Sequence, residues 1–283
     1  MHLLLIVSSI FVAVGIRIFF PIPSPTENGK LCWGKLLFHF AFPPLLLLMT
    51  ALVVVVMGYQ GKMWGIKAGK FSYFLSLAFL IYAVFVILKN LYQQWQIQSL
   101  LTNFPGIVIE DNPCKLLDTP FPYAAVVGLW NPQLVVSEGL IKLLSPPHLK
   151  SVIAHELGHL YYRDTFLFFW LSCLKTIGFS LPKSEQIWEN LALMRELRAD
   201  LFACQKVDHL LVAESLIIIN SYLLNNRGEK LLFECPLYSS RLGERVENLL
   251  ENREGKLVEN YRETFWLILA FIPWIFLPFH SVG

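Results

Sequence analysis

Ser145-Pro-Pro-His-Leu-Lys-Ser-Val-Ile-Ala-His155-Glu156-Leu-Gly-His159-Leu-Tyr-Tyr-Arg-Asp164 is the stretch on which the reading of this chain turns. Ser145 followed by Pro146 marks a helix start, because a serine hydroxyl can cap free amides and proline fits the first turn. Leu149, Val152, Ile153 and Leu160 recur at helical spacing and predict an apolar face. On such a helix His155 and His159 stand four residues apart and project from one side. Two imidazole nitrogens so placed can reach one zinc ion at about 2.0–2.1 Å. Glu156 adjoins the first histidine but points off the ligand axis, as expected of a base acting on the attacking water. Two ordinary surface histidines around a glutamate would need neither the cap nor the apolar face.

A catalytic zinc usually takes three protein ligands, so one is missing. Arg195-Glu196-Leu-Arg-Ala-Asp200 offers it. Ser184 reads as an N-cap, and Leu191, Met194, Leu197 and Leu201 mark a helical apolar face. Glu196 and Asp200 share one side of that helix. Glu196 is expected as third ligand and Asp200 as the carboxylate that hydrogen-bonds a histidine ligand. The plain alternative is a solvated acid pair neutralised by Arg195 and Arg198.

Between the two motifs runs Thr165 to Leu181, 17 apolar-rich residues with Lys175 in the middle. A single crossing there would put the histidines and Glu196 on opposite sides of a hydrocarbon core about 30 Å thick. The run is therefore expected to be buried, interfacial or re-entrant.

The whole chain is membrane-like: 283 residues, 55% hydrophobic and 16% charged, with a mean hydropathy of +0.53. Four stretches are apolar and about long enough to span, Leu3 to Phe20, Leu36 to Met57, Phe71 to Leu88 and Thr264 to Phe279. Pro43 and Pro44 should kink the second. The first has no Lys or Arg before its apolar run and reads as a retained span rather than a signal peptide. A cytoplasmic domain puts Arg17, Lys30, Lys35, Lys89, Arg253, Lys256 and Arg262 inside, against Lys62, Lys67 and Lys70 outside. That count favours cytoplasmic catalysis in a multi-pass protein of the plasma membrane. A net charge of +2 with scattered basic residues argues against nucleic acid.

The expected architecture is a mainly α integral membrane protein with four transmembrane helices. Residues 1–88 hold three of them, 89–263 an α+β zinc peptidase domain with the non-spanning segment 165–181, and 264–283 the fourth. Within the domain, Tyr123 to Ser137 predicts two short strands joined at Trp130 to Pro132. The edge formed by Ala124, Ala125, Val126 and Val127 could bind an extended peptide substrate through backbone hydrogen bonds, although simple core packing explains the same residues. Cys32, Cys114, Cys173, Cys204 and Cys235 contain no C-x-x-C pair, so a thiolate zinc site has no support.

Gly128-Leu-Trp-Asn-Pro, Glu138-Gly-Leu, Leu144-Ser-Pro, His155-Glu-Leu-Gly-His159 with Arg163-Asp164, and Arg195-Glu196 through Asp200 together resemble the BlaR/MecR membrane metallopeptidases, which are gluzincins. The glycine in the zinc motif and the Arg-Asp after it are equally similar to the HtpX and CAAX-protease type. The resemblance implies a gluzincin-like domain between spans three and four, a cytoplasmic Zn2+ site held by His155, His159 and Glu196, and Glu156 as catalytic base. It also leaves room for a membrane regulatory partner. The rivals are a zinc-stabilised regulatory or scaffold protein, which would need a fourth protein ligand, and a transporter, whose spans should carry more ionisable residues than Arg17 and His39.

Overall fold

The computed structural model describes residues 1–27, 30–60, 62–63, 66–67, 69–225, 241–251 and 262–280. Cys235, Arg253 and Lys256 lie outside them, as do the side chains of Lys30, Lys62, Lys67 and Arg262. The chain forms two compact units: Met1–Leu91 with Trp170–Leu191 and Glu259–Gly283, and Tyr92–Phe169 with Ala192–Val258.

In the first unit, α1 (His2–Phe19) leads through a short antiparallel pair, β1 (Thr26–Glu27) and β2 (Lys30–Leu31), to α2 (Trp33–Met57). A second short pair, β3 (Lys62–Met63) and β4 (Ile66–Lys67), precedes α3 (Lys70–Leu101). These three helices are long and apolar enough to cross a membrane. Pro43 and Pro44 lie inside α2. Pro44 has no N–H for the carbonyl of Phe40, and the buried Arg17 of α1 donates to that oxygen at 3.0 Å. The third helix runs 13 residues past the expected Leu88, because nothing in Lys89–Leu101 breaks a helix before the Thr102–Pro105 turn. The fourth apolar stretch is a 3₁₀-helix, Arg262–Phe279, with Pro273 and Pro278 inside it, and it packs against α2.

The second unit holds a four-stranded sheet of order β5-β6-β8-β7, made of β5 (Gly106–Ile109), β6 (Asn112–Leu117), β7 (Ala124–Val127) and β8 (Gln133–Ser137). The expected pair is present in antiparallel register, Ala124 opposite Val136 and Val127 opposite Gln133. Strands β5 and β6 were not foreseen. They turn at Glu110 and Asp111, both at positive φ, and β6 joins β8 in parallel.

Helices α4 (Glu138–Leu143) and α5 (Pro146–Tyr161) follow, then α6 (Asp164–Ile177), which carries the chain into the first unit. Helix α7 (Ser184–Cys204) returns it, and α8 (His209–Asn225) and α9 (Leu242–Glu251) complete the second unit. Leu134 and Val136 of β8, Leu140 of α4, Val152 and Ile153 of α5, and Ile219 and Leu223 of α8 form one core. Burying each such side chain contributes about 1.5–3 kcal/mol, which fixes α5 against the sheet. A second core, Ala154, Ala203, Val212, Ala213, Leu216 and Leu249, ties α5, α7, α8 and α9 together.

Two local expectations are corrected. Ser145 is the N-cap of α5, yet its hydroxyl caps no amide. Pro146 and Pro147 bring no N–H, and Ser145 Oγ instead pairs with His148 Nδ1 at 2.6 Å. Ser184 is not a cap but the first residue of α7, its hydroxyl donating back to the Leu181 carbonyl at 2.9 Å.

Candidate metal centre

With Val152, Ile153 and Ala154 turned into the cores, helix α5 carries His155, Glu156 and His159 on its remaining buried surface. Gly158 stands between the histidines. A Cβ there would come within 3.1 Å of the Ala199 backbone and 3.2 Å of Phe202. The absent side chain lets α7 approach α5 closely, and Ala199 lies between Glu196 and Asp200. Gly158 thus lets α7 bring the expected third ligand, Glu196, to the histidine pair.

His155, His159 and Glu196 offer ligand atoms that all lie within 4.8 Å of one another, and all three residues are buried. His155 Nε2 and His159 Nε2 are 3.1 Å apart. Glu196 reaches His155 Nε2 at 3.4 Å and His159 Nε2 at 3.8 Å. The opposite ring nitrogens face carboxylates. His159 Nδ1 is 2.8 Å from Asp164 Oδ2. His155 Nδ1 is 2.8 Å from Asp200 Oδ1; the ring N–H is not aimed squarely at that oxygen, so the contact is an ion-pair approach rather than a well-formed hydrogen bond. When the Nδ1 atoms carry the protons, both Nε2 atoms present lone pairs. Two lone pairs and a carboxylate then converge on one buried point, an arrangement that calls for a cation. The donor set, two imidazoles and one carboxylate, suits zinc.

Charge around the cluster sets the protonation of its members. Burial disfavours charge on His155, but Asp200 and Glu196 outweigh it and raise its pKa to about 9. Burial likewise opposes ionisation of Glu196, yet Arg195 and Arg245 hold its carboxyl well below the usual range. Asp200 is also lowered against burial, by Arg245 and His155. Glu156 is 1% exposed and its Oε1 has no hydrogen-bond partner among the described residues.

Sequence reasoning missed two residues. Asp164 was noted only as part of a motif, although an acid one turn past His159 is a visible signal. It lies against His159 and is held by Arg198, which also stacks over Tyr162 at 4.0 Å. Arg198 is thereby committed to Asp164 rather than to Glu196 or Asp200. Arg245 of α9 is fully buried, donates twice to Asp200 and approaches Glu196; no local pattern announces it. His209 begins α8 and lies 3.7 Å from Asp208. Ala124 to Val127 form β7, an outer strand of the sheet that contacts α5. Cys114, Cys173 and Cys204 are free thiols. Burial, with Asp200 and Asp208, pushes Cys204 up to about 12, which leaves it inert as a ligand.

Residues 107–222 match peptidase family M48. The chain is 27% identical over 88 residues to a protease HtpX homologue of Thermoplasma acidophilum, covering 29% of this chain and 28% of that protein. It is 40% identical over 50 residues to a protease HtpX homologue of Methanocaldococcus jannaschii, 18% of each chain. It is also 29% identical over 151 residues to the plastoglobule-localized metallopeptidase 48 of Arabidopsis thaliana, covering 52% of this chain and 40% of that one. The matched segments therefore span well under two thirds of these relatives. No solved structure matches. In these segments the chain is similar to peptidase family M48 and to protease HtpX homologues; these relatives do not support the narrower BlaR/MecR assignment. A family M48 match implies a metal cofactor, which the His155, His159 and Glu196 cluster fits.

Proposed function

We propose that this relative of the HtpX-type peptidases is a membrane-embedded, zinc-dependent endopeptidase that hydrolyses peptide bonds of a protein substrate. The observation that carries the reading is the convergence of two buried histidines and Glu196 on one point, beside a buried glutamate whose Oε1 has no partner among the described residues. His155, His159 and Glu196 would hold the ion. When bound, zinc supplies a Lewis acid that polarises the scissile carbonyl and acidifies water. Glu156 takes the proton of the attacking water and later delivers it to the leaving amine. Asp200 and Asp164 fix the two rings, as carboxylates behind metal-ligating histidines do. Ala124 to Val127 offer an outer strand along which an extended substrate adds its own backbone hydrogen bonds.

The domain lies between spans three and four and faces the cytoplasm of a plasma membrane, the orientation that the positive-charge count favours. The 18-residue 3₁₀-helix serves as the fourth span, since a rise of about 2.0 Å per residue gives it roughly 36 Å. The protein substrate is one of regulatory or signalling proteolysis, and a membrane regulatory partner would control access to it. The alternative is a non-catalytic regulatory or scaffold protein stabilised by zinc. Among the described residues the cluster offers three ligands rather than the four of a closed site, which favours catalysis.

Purified wild type and Glu156→Gln, compared for zinc content and cleavage of a mixed protein pool, test the reading. Equal zinc with cleavage lost in the variant is expected. Equal cleavage by both proteins defeats it.

A further inference from the structure

At the turn joining β7 to β8, beside the C-terminal end of α5, lies a half-open cavity of about 470 Å³. That volume is ample for an amino-acid side chain. Trp130, Asn131 and Pro132 of the turn form one wall, and Leu160, Arg163 and Phe166 of the α5–α6 junction form the other. Leu160 follows His159 directly, and the turn begins where the outer strand ends at Val127. A peptide laid along β7 beside the metal cluster would continue toward this cavity. Trp130 is 77% exposed, with its ring 5.6 Å from that of Phe166.

The wall has one charged group, Arg163, and its backbone is unusual. Its φ is +53°, in the left-handed region where helices commonly end on glycine. The backbone duties there need no side chain: the carbonyl accepts from the Phe166 and Leu167 amides at 3.1 Å each, and the amide donates to Leu160 at 3.2 Å. Nearby, Arg195, Arg198 and Arg245 each grip a carboxylate. Arg163 is exposed and has no acidic partner among the described residues. A strained position that keeps an arginine where glycine would fit, with the guanidinium uncommitted and lining a cavity, points to a ligand from outside.

We infer that this cavity is a substrate subsite for a carboxylate, an acidic side chain or the C-terminal carboxylate of the bound peptide, with Arg163 as its specificity-determining residue. The inference rests on the peptidase reading above. The planar guanidinium can receive a carboxylate through two parallel hydrogen bonds, and the Trp130 and Phe166 rings cover the apolar part of the side chain.

The test uses the full chain in lipid nanodiscs. The peptides carry Glu, Gln or Lys at each position in turn, with free or amidated C-termini, which separates the two carboxylate sources. Wild type is expected to cut one Glu or free-acid series with kcat/KM about tenfold above its neutral counterpart, the size of one charge-assisted hydrogen bond. In Arg163→Gly that ratio falls to about one while Tm is unchanged or raised, because glycine relieves the left-handed strain. In Arg163→Glu the preference moves to Lys. A wild type blind to charge at every position, or a ratio unchanged in Arg163→Gly, overturns the inference. If wild type cuts none of the peptides, the peptidase reading fails, and binding of the same set to Glu156→Gln, with and without Arg163→Gly, decides the subsite. Carboxylate-selective binding that requires Arg163 supports it, and its lack overturns it.

Discussion

Arg245 holds Asp200 with two hydrogen bonds, Nε to Oδ2 at 2.8 Å and Nη2 to Oδ1 at 2.6 Å. The third nitrogen of the same guanidinium, Nη1, lies 3.2 Å from Glu196 Oε2. One side chain from α9 thus braces the carboxylate facing His155 and neutralises the acid expected to bind the metal. Arginine suits this place, because its rigid fork serves two acids from fixed directions.

Removing that brace should be costly. Arg245→Ala leaves Asp200 and Glu196 buried with their shared cation gone, a loss of about 3–5 kcal/mol by comparison with other broken buried pairs. The expected result is a markedly lower Tm and little bound zinc. Arg245→Lys keeps the charge but not the fork. It is expected to fold and to bind zinc about 10- to 100-fold more weakly, as when carboxylate support behind a ligand is disturbed. Thermal melts with and without chelator, beside zinc titrations, check both. Wild-type zinc affinity in Arg245→Lys would count against the bracing role.

Gly158 supports a second prediction, because a Cβ there stands 3.1 Å from the Ala199 backbone. Gly158→Ala forces α5 and α7 apart by a few tenths of an ångström and should weaken zinc binding while leaving the domain folded. Gly158→Val adds bulk that the contact cannot absorb and should cost about 1–3 kcal/mol, as overpacking does. Zinc affinity and Tm should fall in the order glycine, alanine, valine. An alanine variant with unaltered affinity would show that the close approach does not set the ligand geometry.

The histidine pair and Glu196 were legible in sequence because helical periodicity converts spacing into direction: residues four apart share a face. The same rule identified Asp200, and the short apolar runs on either side of Trp130 to Pro132 marked β7 and β8. What stayed hidden depends on non-local packing. Arg245 reaches the cluster only because Leu249, one turn along α9, anchors that helix in the core with Val212 and Leu216. Strand β6 pairs in parallel with β8, and no adjacent pattern announces such a partner. Ser145 misled for the opposite reason: the local rule for caps assumes amides that Pro146 and Pro147 do not have.

Proton competition gives a third prediction. His155 is raised to about 9 when no metal is bound, by Asp200 and Glu196 against the opposing effect of burial. At neutral pH the metal-free ring therefore carries a proton that a metal must displace. Apparent zinc affinity should rise about tenfold per pH unit toward pH 9, with one proton released per ion. Stability of the metal-free protein has the opposite sign. The His155 contribution is full below the unfolded value of 6.5 and fades as pH rises through about 9. Competition titrations with a chromophoric chelator, paired with melts of the metal-free protein, read both slopes. A pH-independent affinity contradicts the assignment of His155 as a ligand.

The last prediction concerns Thr165 to Leu181. His155 and His159 precede this apolar run and Glu196 follows it, yet the three share one cluster. A chain that crossed the bilayer once between them would separate the ligands by its full thickness. The run's helix, Asp164–Ile177, has 14 residues, about 21 Å at 1.5 Å per residue, short of a core about 30 Å thick. Lys175 within it is paired with Glu185 at 2.8 Å and lies over the Trp188 ring at 4.9 Å, so its charge is compensated by protein groups. Reporter tags placed just before Thr165 and just after Leu181 should therefore label from the same side in intact cells. Labelling from opposite sides would be incompatible with a shared metal and would remove Glu196 from the ligand set.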